Sequence, residues 1–238
     1  FHQTLDSGSG GPYTLDTLVV STFSLLGAVG GNSRLQSIDG LGAAQTVLGA
    51  NVTAQDFIRF GATRLEGDST IKSFAGPIDF GVITSPVARN LGVDTPGVAT
   101  FGGTIGTLLN PLASIDRVGG GQSILNGTTF TLGQQSYAND VRFNNALDIN
   151  AGGALFIGGA STLGGDVDVL SNGATFLGAV DSFGGPKSLH VTSSGPILFG
   201  SAIGAGGALQ NLTVDGGGVT TINTLVNVLN AADFANST

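Results

Sequence analysis

The chain repeats itself at short range, and no other feature constrains its fold as strongly. Phe176, Val180 and Leu189 recur as Phe199, Ile203 and Leu212, each 23 residues further on, with glycine-rich turns between them. Strings of the same type begin at Phe23 (F-S-L-L-G-A-V-G-G-N-S-R-L-Q-S-I) and at Phe101 (F-G-G-T-I-G-T-L-L-N-P-L-A-S-I). A longer period overlies the short one: Phe101 and Phe199 are 98 residues apart, and Ile58-Arg59-Phe60 matches Val141-Arg142-Phe143. The two periods together suggest a large unit of about four short rungs, present about twice.

Between the glycines lie short segments in which apolar and polar residues alternate. Thr14–Val20, Asp166–Val169 and Leu209–Val214 place one set of side chains inward and the other outward, as strands do. Gly, Asn, Asp and Ser bound these segments and supply the turns. Composition points the same way. Glu66 is the only glutamate and Lys72 and Lys187 the only lysines, whereas 41 of 238 residues are glycine; helical faces are normally rich in Glu and Lys. One such coil cannot bury its apolar face alone, but stacked coils form a continuous core. A β-sandwich is the rival, since it too has strands every 8–12 residues, but it does not account for periods of 23 and 98. The sequence therefore predicts an all-β chain folded as a right-handed parallel β-helix with rungs of about 20–25 residues. About ten such rungs make a rod roughly 50 Å long. Phe101, Phe176, Phe199, Ile105, Ile203, Leu189 and Leu212 are the expected core stack. Residues 13–223 carry the repeats, 1–12 read as an N-terminal arm or linker, and 224–238 as a segment that enters a further rung or contacts a neighbour.

Several function classes are excluded. No cysteine is present, so there is no disulfide scaffold, thiolate metal site or cysteine nucleophile. A net charge of −8 without any basic run argues against a nucleic-acid partner. The charge-poor stretch 188–214 is broken by six glycines and prolines and is not a membrane span. Of the two histidines, His2 lies at the terminus and His190 should point outward from a strand. No G-x-S-x-G elbow accompanies it. Asp166 and Asp168 share one strand face, with Cβ atoms roughly 7 Å apart, a spacing near that of glycosidase carboxylates. The plainer reading is a pair of solubilising charges, and we expect no enzyme. Calcium is the one ion such loops would attract, with Asp166, Asp168 and Asp140 as weak candidates. No full calcium-binding nonapeptide is present, and no cofactor is expected.

The strings Gln134–Val141 (Q-Q-S-Y-A-N-D-V), Ala99–Gly106 (A-T-F-G-G-T-I-G), Pro111–Ile115 (P-L-A-S-I) and Val214–Asn223 (V-D-G-G-G-V-T-T-I-N) resemble the repeat arrays of filamentous-haemagglutinin-like and autotransporter-type bacterial surface proteins. The likeness runs over about 13–223. It implies a secreted β-helical stalk without catalysis, located at the bacterial cell surface and serving adhesion, a coat or a fibre.

The expectation is thus a non-catalytic extracellular rod that builds a fibre, stalk or coat by end-to-end association, or that continues in a longer array. Phe1 and Leu5 at one end and Leu225, Val228 and Phe234 at the other are the candidate assembly residues. The alternative is the shaft of an adhesin that binds glycans or host surfaces.

Overall fold

The computed structural model describes residues 1–8, 11, 13–18 and 20–236. Residues 9, 10, 12 and 19 and the last two residues therefore fall outside the described part of the expected arm, of the first strand segment and of the C-terminal segment. The chain is all-β, a parallel β-solenoid of about eleven turns, with no helix among the described residues. Among the described residues no helix is long and apolar enough to cross a membrane.

Each turn visits three sheets in a fixed order, here called faces 1, 2 and 3. Face 1 holds nine strands, from Leu15–Asp16 to Val180–Ser182, and is carried on by bridges to Ile203 and Val226. Face 2 begins at Val20–Leu25, passes through a single bridged residue, Ile105, and ends at Val228–Asn236. Face 3 begins at Leu5 and Val29 and ends at Thr220–Ile222.

On each face one inward position is occupied in every turn, and these positions stack into columns. On face 1 the column runs Leu15, Ile38, Ile58, Ile78, Ala99, Ser123, Val141, Ser161, Val180, Ile203, Val226. On face 2 it starts at Phe23, passes Thr46, Thr63, Ile83, Ile105, Thr129 and Ile149, and ends Val191, Val214, Phe234. On face 3 it rises from Leu5 and Val29 through Val93, Arg117 and Tyr137 to Phe176, Phe199 and Ile222. Strand pleat fixes this: every second side chain points in, and register between turns sets one inward residue over the last.

All seven expected core residues are buried, and Leu189 lies directly under Leu212. Phe176 stacks on Phe199 with ring centroids 5.1 Å apart and an interplanar angle of 8°. One expectation needs correction. Phe101 belongs to face 1 and Phe199 to face 3, so the period of 98 residues does not superpose equivalent positions. Rungs are about 20–25 residues long as expected, with local variation: Ser123 and Val141 are register partners 18 apart, whereas Ala99 and Ser123 are 24 apart. The corners take up this difference, and the sheets do not.

Outward Asp and Asn side chains lace the turns together. Asp68, Asp140, Asp166 and Asp181 each accept a backbone N–H from the following turn, from Asn90, Ala160, Ser188 and Gly206, at 2.8–2.9 Å. The Asn90 amide and side chain hold the Asp68 carboxyl below its ordinary value of 3.8. A depressed carboxylate stabilises the fold fully above its unfolded pKa and loses that contribution as pH falls through the folded one. The melting temperature should therefore drop below about pH 4, with a shallower slope in Asp68→Asn. An unchanged slope would show that the Asn90 contact contributes nothing.

Candidate functional site

His190 is the centre of a cluster of ionisable side chains on the rod's flank. It lies on face 2 in the strand Leu189–Ser193, with Asp168 beside it in the turn below and Thr213 in the turn above. Because Leu189 and Val191 point into the core, His190 must point out, as the alternation predicts, and its side chain is 41% exposed. Its Nδ1 lies 3.0 Å from Asp168 Oδ1 and its Nε2 lies 2.9 Å from Asp215 Oδ2. The Thr192 hydroxyl lies 3.2 Å from the same Nε2.

Asp168, His190 and Thr192 have the order of a carboxylate–imidazole–hydroxyl relay. Asp215, however, occupies the nitrogen that would have to accept the hydroxyl proton, and the cluster lies open to water on a flat sheet. Its evident effect is to tie three successive turns together. Exposed pairs of this kind contribute about 0–1 kcal/mol each. Asp166 does not join it, because its Oδ1 accepts the Ser188 amide at 2.8 Å. Asp140 likewise accepts the Ala160 amide. The three weak calcium candidates thus act as turn and rung acceptors, and they do not converge. Among the described residues no group of three or more His, Cys, Asp or Glu side chains is arranged to hold a metal ion. Asp215 was not identified from the sequence: the rung spacing of 23 leads from His190 to Thr213, and Asp215 is the next outward position along that strand.

The two ends of the rod are the second candidate site. Phe234, in the last described turn, stands in register over Val214; Val214 is wholly buried and Phe234 is 39% exposed. Ile222 and Val226 are the corresponding last residues on faces 3 and 1. At the other end the first residues are bound into the coil. Leu5 bridges Val29, the Phe1 ammonium donates to Ser24 O at 2.8 Å, and Leu26 N donates to Phe1 O at 2.8 Å. Beside Phe1 lies a notch of about 500 Å³, lined among others by Phe1, Leu15, Leu18, Thr22 and Phe23. Of the expected assembly residues, Phe1, Leu5, Val228 and Phe234 flank these terminal surfaces. Leu225 is 63% exposed at the corner before Val226. Leu15, Phe23, Ile222 and Val226 were not singled out as end residues, since only the columns mark them.

A third feature is a lateral cleft of about 320 Å³ under the corner Leu108–Pro111. It is walled by Phe130, Leu132 and Leu170, with Asn150 and Asn172 at its rim.

Comparison with known proteins finds no matching family model, no matching curated protein and no matching solved structure.

Proposed function

We propose that this chain is a non-catalytic structural rod, an extracellular β-helical segment of a bacterial surface fibre, stalk or coat, built by end-to-end association. The observation that carries this reading is that all three inward columns run through the described turns as one continuous stack, with apolar side chains in the first and the last of those turns. Leu15, Phe23 and Leu5 stand at one end, and Val226, Phe234 and Ile222 at the other. A stack of this kind can be continued turn on turn, by another chain or by more of the same array. The composition, poor in charge and free of cysteine, and the likeness to surface-protein repeats support an extracellular setting. Negative-stain microscopy of the purified chain, with and without chelator, tests the proposal. Uniform filaments of one-rod width are expected in both samples. Isolated rods at every concentration would contradict it, and filaments that dissolve in chelator would point to calcium at the joints.

The lateral cleft favours a second reading, the shaft of an adhesin. Phe130, Leu132 and Leu170 offer an apolar floor to the C–H face of a sugar, and Asn150 and Asn172 offer amides to its hydroxyls. A glycan array with the wild-type chain and Leu132→Asp tests this. Binding lost in the variant supports the adhesin shaft, and no binding by the wild type removes it.

A further inference from the structure

The lateral cleft is a groove that runs along the rod, at the corner where face 2 passes into face 3. In three successive turns Phe130, Asn150 and Leu170 are direct register partners on face 2 and point outward. Two residues further on in each turn come Leu132, Gly152 and Asn172, and Ser194 stands at the same corner one turn above. Gly152 leaves a gap between Leu132 and Asn172. A Cβ there would meet Leu132 O at 2.3 Å, so this corner cannot carry a side chain without moving the turn below. Leu108 and Pro111 close one end of the groove. Their corner is braced by Thr107 N, which donates to Asn110 O, and by Asn110 N, which donates to Thr107 Oγ1, both at 3.0 Å.

The lining is free of charge on a chain that carries a net charge of −8. Asp148 and Asp168 stand on the same strands two residues before Asn150 and Leu170, roughly 7 Å away along the strand. They border the groove with negative charge, and no Lys or Arg lines it to pair with an anion. Phe130, Leu132 and Leu170 supply apolar surface, and Asn150 lies between two of them in the outward column. The Ser194 hydroxyl donates to Asn172 Oδ1 at 2.9 Å, which fixes that side chain and leaves its N–H groups to donate elsewhere.

On the adhesin reading above, we infer that the groove binds an uncharged linear glycan laid along the rod axis, one sugar ring to a turn. The turns are about 4.8 Å apart, close to the advance of one ring in an extended glycan, so successive rings meet successive outward positions. Phe130 and Leu170 take the C–H faces of the rings, while Asn150 and Asn172 hydrogen-bond their hydroxyls. From Leu132 to Ser194 the groove spans three turn steps, about 14 Å, which is the length of about three rings. A uronate or sialate carboxylate finds no cation here and faces Asp148 and Asp168 instead, so acidic glycans are excluded.

Titration calorimetry of the whole chain tests this with β-1,4-linked oligosaccharides of glucose, mannose and N-acetylglucosamine, from one to six rings, and with oligogalacturonates of the same lengths. Affinity for at least one neutral series should rise up to about three rings and then level off, with oligogalacturonates at least about tenfold weaker. Leu132→Asp should weaken that binding about tenfold or more. Leu41→Asp, at an exposed corner between faces 1 and 2, should leave it unchanged. Both leucines are exposed, so both variants keep the fold, and thermal melting checks that they do. Binding that ignores chain length, survives Leu132→Asp or favours oligogalacturonates overturns the assignment to this groove while the adhesin reading stands. No binding of any series overturns the inference, and a blank result on a wider glycan array removes the adhesin reading with it.

Discussion

In Phe176→Ala the rod is expected to lose about 3–5 kcal/mol of stability, the usual cost of emptying a buried phenylalanine site, and to lose it locally. Phe176 is fully buried in the face 3 column, with Ile157 below it and Phe199 stacked above it at 5.1 Å. Its neighbours belong to other turns and are held by their own ladders, so they cannot collapse into the space. A solenoid is nearly one-dimensional, and its stability is a sum of turn and interface terms. The lesion therefore weakens the interface between the Phe176 turn and the Phe199 turn more than any other. Hydrogen exchange should show the amides from about 180 onward losing protection before those of 38–160, where the wild type opens more uniformly. Uniform loss along the whole rod would mean that the turns are coupled far more tightly than nearest-neighbour stacking allows.

Arg117→Met is expected to act in the opposite direction and to raise stability by about 1–4 kcal/mol, the range seen when buried ionic groups are replaced by apolar side chains of similar size. Arg117 occupies an inward position of the face 3 column, between Val93 and Tyr137, and is wholly buried. Nη2 donates to Gly97 O at 3.1 Å and to Gly121 O at 2.9 Å, but Nε and Nη1 have no partner among the described residues. Burial pulls its pKa down, against a smaller opposing pull from Asp94. Two hydrogen bonds to carbonyl oxygens do not offset the desolvation of a full charge. Methionine matches the length, adapts to irregular space and carries no charge to desolvate. A thermal or denaturant transition moved downwards in Arg117→Met would show that those two carbonyls, where the chain turns tightly from face 3 to face 1, depend on the guanidinium. Arg117→Ala should fall below both, because it removes the volume as well.

The period, the strand alternation and the burial of the Phe, Ile and Leu positions could be read from the sequence because each is local: a strand repeats every two residues and a turn about every twenty. The face on which a repeat lies could not. Phe23, Phe101 and Phe199 open similar strings yet sit on faces 2, 1 and 3, because every face is made of the same short motif of inward apolar residue, corner and glycine. Aligning those strings aligns corners, whereas the register depends on corner lengths, which vary from turn to turn. Where the corners match, the sequence reading was right: Leu189 and Leu212 are direct partners, and Ile58-Arg59-Phe60 and Val141-Arg142-Phe143 share face 1. The same limit applies to the sites. Alternation alone sends His190 outward, but its second carboxylate, Asp215, comes from the next turn and is diagonal to it. The arginine inside the column was equally hidden, since Asp116-Arg117-Val118 alternates like any exposed strand.

End-to-end association of the rod is tested by sedimentation velocity over a wide concentration range, comparing the wild type with Phe234→Asp. Phe234 stacks on Val214 in the last described turn and is 39% exposed, so a carboxylate there leaves the turns beneath it in place and puts a charge on the terminal surface. The wild type should sediment as a growing series of elongated species as concentration rises, and the variant as a single species of 23.6 kDa throughout. A wild-type chain that stays at that mass at the highest concentration, or a variant that assembles as readily as the wild type, would contradict the claim.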